Sequence, residues 1–354
     1  MKTRPLKYAT PLLVFGLSIN AFLQTGWQIF LPLILVWILI PLVELIMPPD
    51  EKNLSAAEEE LAKEDRAYDF WIYLIVPMQF IALFLFIDGF KQTNLSASDI
   101  IGRISVMGLL CGSFGINVGH ELGHRNKKYE QTMAKMLLLT SLYMHFFIEH
   151  NKGHHKRVST PEDPSSARFN EPLYRFYLRT VVGAYRSAWE ISSAELKKKS
   201  LPFLHWKNEM LMFQVIQLSF VTGILLLFGW LTTLYFLAAA VMGFLMLETV
   251  NYIEHYGLQR RKTGPSSYER ALPIHSWNSN HVLGRIVLFE LSRHSDHHYL
   301  ASRKYQVLRH HDDAPQMPTG YPGMMLLSLI PPLWFRVMNH RVEDIRKKSM
   351  TSAG

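Results

Sequence analysis

Nine histidines in this sequence have the spacing of metal ligands. His120 and His124 are four residues apart, as are His150 and His154, so each pair can lie on one face of a helix. Neutral imidazole binds iron, zinc and copper, and one such ion takes about four to six ligands. The complete set is His120, His124, His150, His154, His155, His255, His294, His297 and His298. Nine ligands exceed the capacity of one ion, so the pattern predicts two metal ions.

Several polar residues adjoin these histidines along the chain. A metal-binding imidazole usually donates its second N–H to a carboxylate, a carbonyl or another polar group. We expect that role for Glu121, Glu149, Asn251, Glu254 and Asp296, and His281, at the end of the stretch His-Ser-Trp-Asn-Ser-Asn-His at 275–281, is expected to orient a ligand or to be structural. Four other histidines belong to no cluster and are expected in solvent: His205, His310, His311 and His340.

Long apolar runs must position these clusters. Hydrophobic residues make up 49% of the chain and are bunched at 8–28, 29–47, 70–90, 100–118 and 211–247. A bilayer core of roughly 30 Å needs about 20 helical residues. The last run is interrupted at 228–230 and is long enough for two crossings. The pattern predicts an all-α integral membrane protein with about six transmembrane helices and a histidine-rich cap.

The run 133–148 is apolar but is not expected to cross the membrane. Ligands of one centre must lie on one side, and a crossing here would separate His124 from His150. Residues 120–210 hold 15 Lys and Arg against 9 Asp and Glu, whereas Lys91 is the only cation in the short loops opposite. By the positive-inside rule, the histidine side is cytoplasmic.

Four consecutive segments follow from this topology. Residues 1–119 are expected to form four transmembrane helices and 120–210 a cytoplasmic segment with the first two clusters. Residues 211–250 supply two more transmembrane helices, and 251–354 form a cytoplasmic segment with the remaining ligands. The net charge of +8 does not indicate nucleic-acid binding, because no basic stretch is interleaved with aromatics as in a nucleic-acid module. We attribute this charge to the membrane topology instead. A single cysteine excludes multi-cysteine zinc and iron–sulfur sites.

Four motifs surround the histidines. They are His-Glu-Leu-Gly-His-Arg at 120–125, Glu-His-Asn-Lys-Gly-His-His at 149–155, Asn-Tyr-Ile-Glu-His-Tyr-Gly at 251–257 and Arg-His-Ser-Asp-His-His at 293–298. In these motifs, and over most of its length, the chain resembles the membrane-bound alkane 1-monooxygenases, which are rubredoxin-dependent. Ser292 stands where that family usually has Gln, at a position with no predicted ligand.

The resemblance implies a non-haem centre of two iron ions. Such a centre uses O2 to convert the terminal methyl of a medium-chain alkane into a primary alcohol. The family also implies a bacterial inner membrane, surrounding lipid, and rubredoxin as electron donor with its reductase upstream. Trp37 lies near the middle of the second apolar run and matches a tryptophan of some family members. We expect it to line the substrate channel and to limit the length of alkane accepted.

Electrons must reach this chain from outside it. The sequence has no Gly-x-Gly-x-x-Gly nucleotide fingerprint, and one cysteine cannot supply the four thiolates of a rubredoxin iron. The expected docking cations near the first two clusters are Lys127, Lys128, Lys152, Lys156 and Arg157.

Three other readings stay open on sequence alone. His120 to His124 also match the His-Glu-x-x-His motif of zinc proteases, with Glu121 as general base, although most of the histidines would then have no role. A related diiron lipid desaturase or aryl-methyl hydroxylase would have the same type of centre. A metal transporter would need polar residues deep in several spans, where only Glu44, Asp88 and Arg103 are charged.

Overall fold

The computed structural model describes residues 3–265 and 267–351 and is mostly helical. The outermost residues of the predicted segments 1–119 and 251–354 lie outside this described part. Five helices are long and apolar enough to cross a membrane: Arg4–Leu23, Gly26–Glu44, Arg66–Gly89, Ala97–Gly123 and Glu209–His255. The predicted all-α membrane architecture is therefore confirmed. Within the described residues, the one sheet pairs Lys262–Gly264 with Ser267–Tyr268.

The longest of these helices, Glu209–His255, is a hairpin of two antiparallel halves, and we call it the hairpin helix. Gly229 has φ 82° and ψ 172°, a conformation that only glycine adopts readily, and the chain reverses there. The rings of Phe220 and Phe236, one from each half, are 5.6 Å apart. In an unbroken helix, their spacing along the axis would be about 24 Å. Five candidate helices thus account for the six crossings expected from the sequence.

The apolar stretch 133–148 is not one long helix. Helix Lys128–Leu139 is followed by its C-cap Thr140, and Leu142 has a φ of 52°, so the chain turns before the short helix Phe146–Glu149. Twelve residues extend only about 18 Å, which is too short to span the bilayer core. The structure agrees with the expectation that this stretch does not cross. It continues into the π-helical turn His150–His154 and the short helix His155–Arg157.

Helix Leu173–Lys198 packs one face against the protein and leaves an apolar stripe outside. Phe176, Thr180 and Ala184 are buried, whereas Tyr174 and Leu178 are exposed. This pattern is typical of amphipathic helices at a membrane surface, whose apolar stripe faces the lipid. We call it the interfacial helix. Thr180 Oγ1 donates a hydrogen bond of 2.7 Å to Glu248 Oε2 and so joins it to the hairpin helix.

The C-terminal part caps the histidine end of the bundle. Its helices are Val282–Val287, His294–Tyr299, Tyr321–Ser328 and Pro331–Thr351, and a further helix, Ala56–Glu64, lies between the second and third spans. Trp334 is fully buried between Tyr252 and Tyr256, with ring centroids 5.2 Å and 5.3 Å away. This aromatic packing fixes the cap to the end of the hairpin helix.

Candidate metal centre

Two groups of histidine nitrogens converge at the end of the bundle. The five-histidine group consists of His120, His124, His150, His155 and His297. The four-histidine group consists of His154, His255, His294 and His298. In each group the possible ligand atoms all lie within 4.8 Å of one another. These are the nine histidines that the sequence singled out, now divided between two sites.

In the five-histidine group the rings meet through their Nε2 atoms. His120 Nε2 is 2.9 Å from His297 Nε2, and His297 Nε2 is 3.1 Å from His155 Nε2. His150 Nε2 lies 2.9 Å from His155 Nε2 and 3.1 Å from His124 Nε2. Two nitrogens bound at right angles to one ion, each at about 2.1 Å, would be about 3 Å apart. The observed separations therefore fit a shared metal ion.

The four-histidine group is wholly buried and includes a carboxylate at its edge. His154 Nε2 is 3.3 Å from His298 Nε2, and His294 Nε2 is 3.2 Å from His255 Nε2. Glu254 Oε2 lies 3.1 Å from His294 Nε2, while its Oε1 accepts a 2.8 Å hydrogen bond from the Tyr321 hydroxyl. Glu254 therefore presents an oxygen among the converging nitrogens and could serve as a further ligand.

The protonation of the rings suits metal binding. Burial lowers the pKa of His150 and of His297 well below the usual value of 6.5, and neighbouring rings lower it further, so both are neutral near pH 7. His154 differs. Burial opposes its charged form, but the charge and hydrogen bond of Asp163 outweigh this and raise its pKa. Asp163 Oδ2 is 2.9 Å from His154 Nδ1 and so holds a proton on Nδ1, and a metal ion at Nε2 would displace the second proton of the charged ring.

Of the six residues expected to orient the imidazoles, Glu254 contacts a ligand ring, that of His294. Glu121 Oε1 instead accepts from Arg125 Nη2 at 2.7 Å, and Glu149 Oε1 accepts from Arg157 Nη2 at 2.9 Å. Asn251 donates to Glu248 Oε2 at 3.2 Å.

The other two of the six have partners of a different kind. His281 Nδ1 lies 3.0 Å from Ser279 Oγ. Asp296, which lies between two ligands in the sequence, binds Arg303 and His311. The hydrogen bonds of these residues stabilise the backbone segments that carry the ligands.

Sequence reasoning missed Asp163 and misplaced two histidines. Asp163 lies nine residues after His154, a spacing that indicates nothing by itself. The expectation that His310 lies in solvent was wrong, because it is buried and its Nδ1 lies 2.9 Å from Asn280 Nδ2. His311 also has a partner, since its Nε2 is 2.7 Å from Asp296 Oδ1. Both histidines contact residues 15 or more positions away in the sequence, and loop contacts of this kind have no local sequence signal.

A narrow apolar cavity of about 50 Å³ adjoins both histidine groups, and we call it the inner cavity. Rings of the two groups, His120, His150 and His294, form its polar end. Its other walls are largely aliphatic and aromatic. Three π-helical stretches reach it: Leu35–Leu39, Cys111–Ile116 and His150–His154. A π turn adds a residue to a helix and redirects the side chains around it, and such turns are frequent at functional sites.

A second apolar cavity of about 450 Å³, the outer cavity, lies against the first. Trp37, Met246 and Met325 line both cavities and so form the partition between them. The outer cavity is bordered by the second half of the hairpin helix and by Leu326 and Leu329, which are partly exposed on the outside of the bundle. The two apolar cavities therefore lie in line between the outside of the bundle and the histidines, separated by this partition.

The zinc-protease reading finds no support in this geometry. It requires the carboxylate of Glu121 beside the metal, as general base. That carboxylate is engaged by Arg125 and by the backbone N–H of Tyr305, which is 3.3 Å from Oε1. The second group of four histidines would also have no role in such an enzyme.

The chain is similar to several known proteins. A family model described as fatty acid desaturase matches residues 100–328. Alkane 1-monooxygenase 2 of Pseudomonas aeruginosa is 40% identical over 331 residues, which cover 92% of this chain and 86% of that protein. Alkane 1-monooxygenase 1 of Alcanivorax borkumensis is 38% identical over 339 residues, which cover 95% of this chain and 82% of that protein. The xylene/toluene monooxygenase hydroxylase component of Pseudomonas putida is 28% identical over 269 residues, which cover 75% of this chain and 71% of that protein.

Proposed function

The chain belongs to the alkane 1-monooxygenase family, and on that premise we propose that it hydroxylates the terminal carbon of medium-chain alkanes to primary alcohols. The observation that carries this proposal is the apolar inner cavity that ends on the two histidine groups. One atom of O2 would enter the terminal C–H bond and the other would leave as water. Two electrons and two protons must then be supplied in each turnover.

Two iron ions are the proposed cofactors. The five-histidine group would hold one ion and the four-histidine group, with Glu254, the other. When bound, the iron pair supplies the activation of O2 and the removal of hydrogen from the terminal methyl. Imidazole-rich surroundings suit iron, and the family is one of non-haem iron enzymes.

The walls of the inner cavity are suited to an alkane, which has no polar group that could be held by hydrogen bonds. Shape and burial must orient it instead. Trp37 stands at the partition between the two cavities, so we propose that its indole sets how far a chain can extend from the histidines. The same walls exclude water from the reaction, while Asn251 and Glu254 are among the few polar side chains they present.

The electron donor is proposed to be rubredoxin. Two rings of the five-histidine group, His124 and His155, are partly exposed, whereas the four-histidine group is buried. Electrons would therefore enter through the five-histidine ion. Of the five cations expected to guide docking, Lys152 and Arg157 are already paired with Glu195 and Glu149. Lys127, Lys128 and Lys156 are exposed, and they are the proposed docking charges.

The proposed setting is the bacterial inner membrane, with the histidine end in the cytoplasm. Two features support this orientation: the excess of Lys and Arg over Asp and Glu in residues 120–210, and the scarcity of cations in the short loops at the other end of the bundle. A cytoplasmic centre would also be accessible to a soluble donor such as rubredoxin.

A substrate comparison tests the proposed reaction. Membranes that contain this protein would be supplied with reduced rubredoxin, O2 and either octane or p-xylene, and the products would be identified by mass spectrometry. Formation of 1-octanol, with one oxygen atom derived from labelled O2, is expected. If p-xylene is oxidised at its methyl group and octane is not, the aryl-methyl hydroxylase reading is correct and the proposal fails.

A further inference from the structure

A groove of about 660 Å³ opens beside the metal centre, between helix Lys128–Leu139, the end of the interfacial helix and the first turns of the hairpin helix. This volume lies within the range of roughly 300–1,000 Å³ that is usual for small-ligand pockets. One wall is apolar and includes Met136, Leu139, Met212, Phe213 and Ile216. The rim is charged and carries Lys135, Lys152, Lys199, Lys207, Glu195 and Glu209. We call this feature the lysine groove.

The rim has more positive charge than its carboxylates can neutralise. Glu209 is paired with Lys135 at 2.5 Å, and Glu195 is paired with Lys152 at 2.6 Å. In residues 3–265 and 267–351, no carboxylate lies within ion-pair distance of Lys199 or Lys207. The Nζ atom of Lys207 instead lies 5.3 Å from the ring centroid of Trp206. Two ammonium groups therefore remain to bind an anion.

The side chains around the lysine groove are of the kind found where a bilayer meets water. Phe203, Leu204 and Trp206 are exposed on the loop that leads into the hairpin helix, and the exposed stripe of the interfacial helix is nearby in the chain. Aromatic side chains are enriched at this level of a membrane. Met212 and Ile216 are four residues apart on the first half of the hairpin helix, so the apolar wall continues from the charged rim towards the bilayer core.

We propose that the lysine groove binds one molecule of an anionic phospholipid. Lys199 and Lys207 hold the headgroup phosphate, and an acyl chain lies along Met212 and Ile216. Free phosphate would satisfy the rim but would leave the apolar wall in water. A zwitterionic lipid would bring a second cation next to the two lysines. Lys152 of the π-helical turn His150–His154 belongs to the same rim, so the lipid contacts the segment that carries two of the proposed ligands.

Lipid binding to the purified, iron-loaded protein in detergent tests this proposal. Phosphatidylglycerol would be titrated and the bound molecules counted by native mass spectrometry, with phosphatidylcholine of the same acyl chains in a parallel series. Each lysine near an anionic lipid contributes about a fivefold gain in binding, so the double change Lys199→Gln and Lys207→Gln should weaken phosphatidylglycerol binding about 25-fold. The matched control is Lys197→Gln with Lys198→Gln, two exposed neighbours that do not line the groove.

The expected result is one tightly bound phosphatidylglycerol, lost in the groove variant and kept in the control. Equal loss in both variants would mean that the attraction is spread over the whole basic surface, and it would overturn the site. Equal binding of phosphatidylcholine would overturn the choice of an anionic lipid. Displacement of the lipid by millimolar inorganic phosphate would show a plain phosphate site instead.

Discussion

His154 and His155 are consecutive residues whose rings belong to different histidine groups. His154 Nε2 lies 3.3 Å from His298 Nε2, whereas His155 Nε2 lies 3.1 Å from His297 Nε2. The partners are themselves consecutive, so two adjacent pairs of histidines join the two groups. The π-helical turn that ends at His154 brings these two rings to different sites. Each proposed ion therefore depends on the same two backbone segments.

Asp163 is expected to strengthen the metal site through His154. Asp163→Asn removes the charge that fixes the proton on His154 Nδ1, so the ring can present the wrong tautomer to the metal. Loss of such a partner typically weakens metal affinity 10- to 100-fold, roughly. Iron retained against a graded series of chelator concentrations measures this. Glu162→Gln, at the exposed neighbouring carboxylate, is the control, and equal retention in both variants would remove the role given to Asp163.

Trp37 is expected to limit the length of the substrate. Trp37→Ser would open the partition between the inner and outer cavities, so alkanes longer than those accepted by the parent enzyme should become substrates. Product yields across a series from octane to hexadecane, each measured with the same donor, report this change. Trp27, which is 70% exposed, provides the control as Trp27→Ser. An unchanged profile in Trp37→Ser would make this indole a packing residue.

The stretch 133–148 is expected to leave both of its ends on the cytoplasmic side. Single cysteines would replace Lys128 and Arg157 in a background that carries Cys111→Ala, and a membrane-impermeant thiol reagent would be applied to each face of sealed vesicles. Both positions should react from the cytoplasmic face. A cysteine that replaces Lys91, which lies in a loop on the opposite side, should react from the other face. Reaction of positions 128 and 157 from different faces would refute this topology.

Turnover driven by rubredoxin is expected to fall as salt rises. The distance over which charges act decreases from about 10 Å at 0.1 M salt to about 3 Å at 1 M, so steering by Lys127, Lys128 and Lys156 would be lost. Reversal of these three charges to Glu should lower kcat/KM for rubredoxin and flatten its dependence on salt. Reversal of Lys197 and Lys198 serves as the control. A rate that responds to neither salt nor reversal would contradict docking at these cations.

The sequence allowed the crossings to be predicted because length and hydropathy alone determine whether a helix can span a bilayer. Gly229 also had a visible signal, since it interrupts the last apolar run where the hairpin helix turns. The nine histidines were recognisable from their spacing, but their division was not. His120 and His297 meet although 177 residues separate them, and this pairing depends on how the cap folds over the bundle.

The polar partners of the histidines were harder to predict than the histidines themselves. Adjacency in the sequence suggested Glu121 and Asp296, yet both carboxylates bind arginines. On a helix, the residue next to a ligand points about 100° away from it, so a neighbour in sequence rarely faces the same ring. Asp163 lies beyond a turn, and only the tertiary fold brings it to His154.

The metal content of the purified protein, measured together with octane turnover, tests the central claim most directly. The account predicts two irons per chain and formation of 1-octanol with reduced rubredoxin. Replacement of each of the nine histidines by alanine should lower both quantities, whereas His340→Ala, at an exposed position outside both groups, should leave both unchanged. One zinc per chain, or full iron and activity in three or more of the nine variants, would contradict the account.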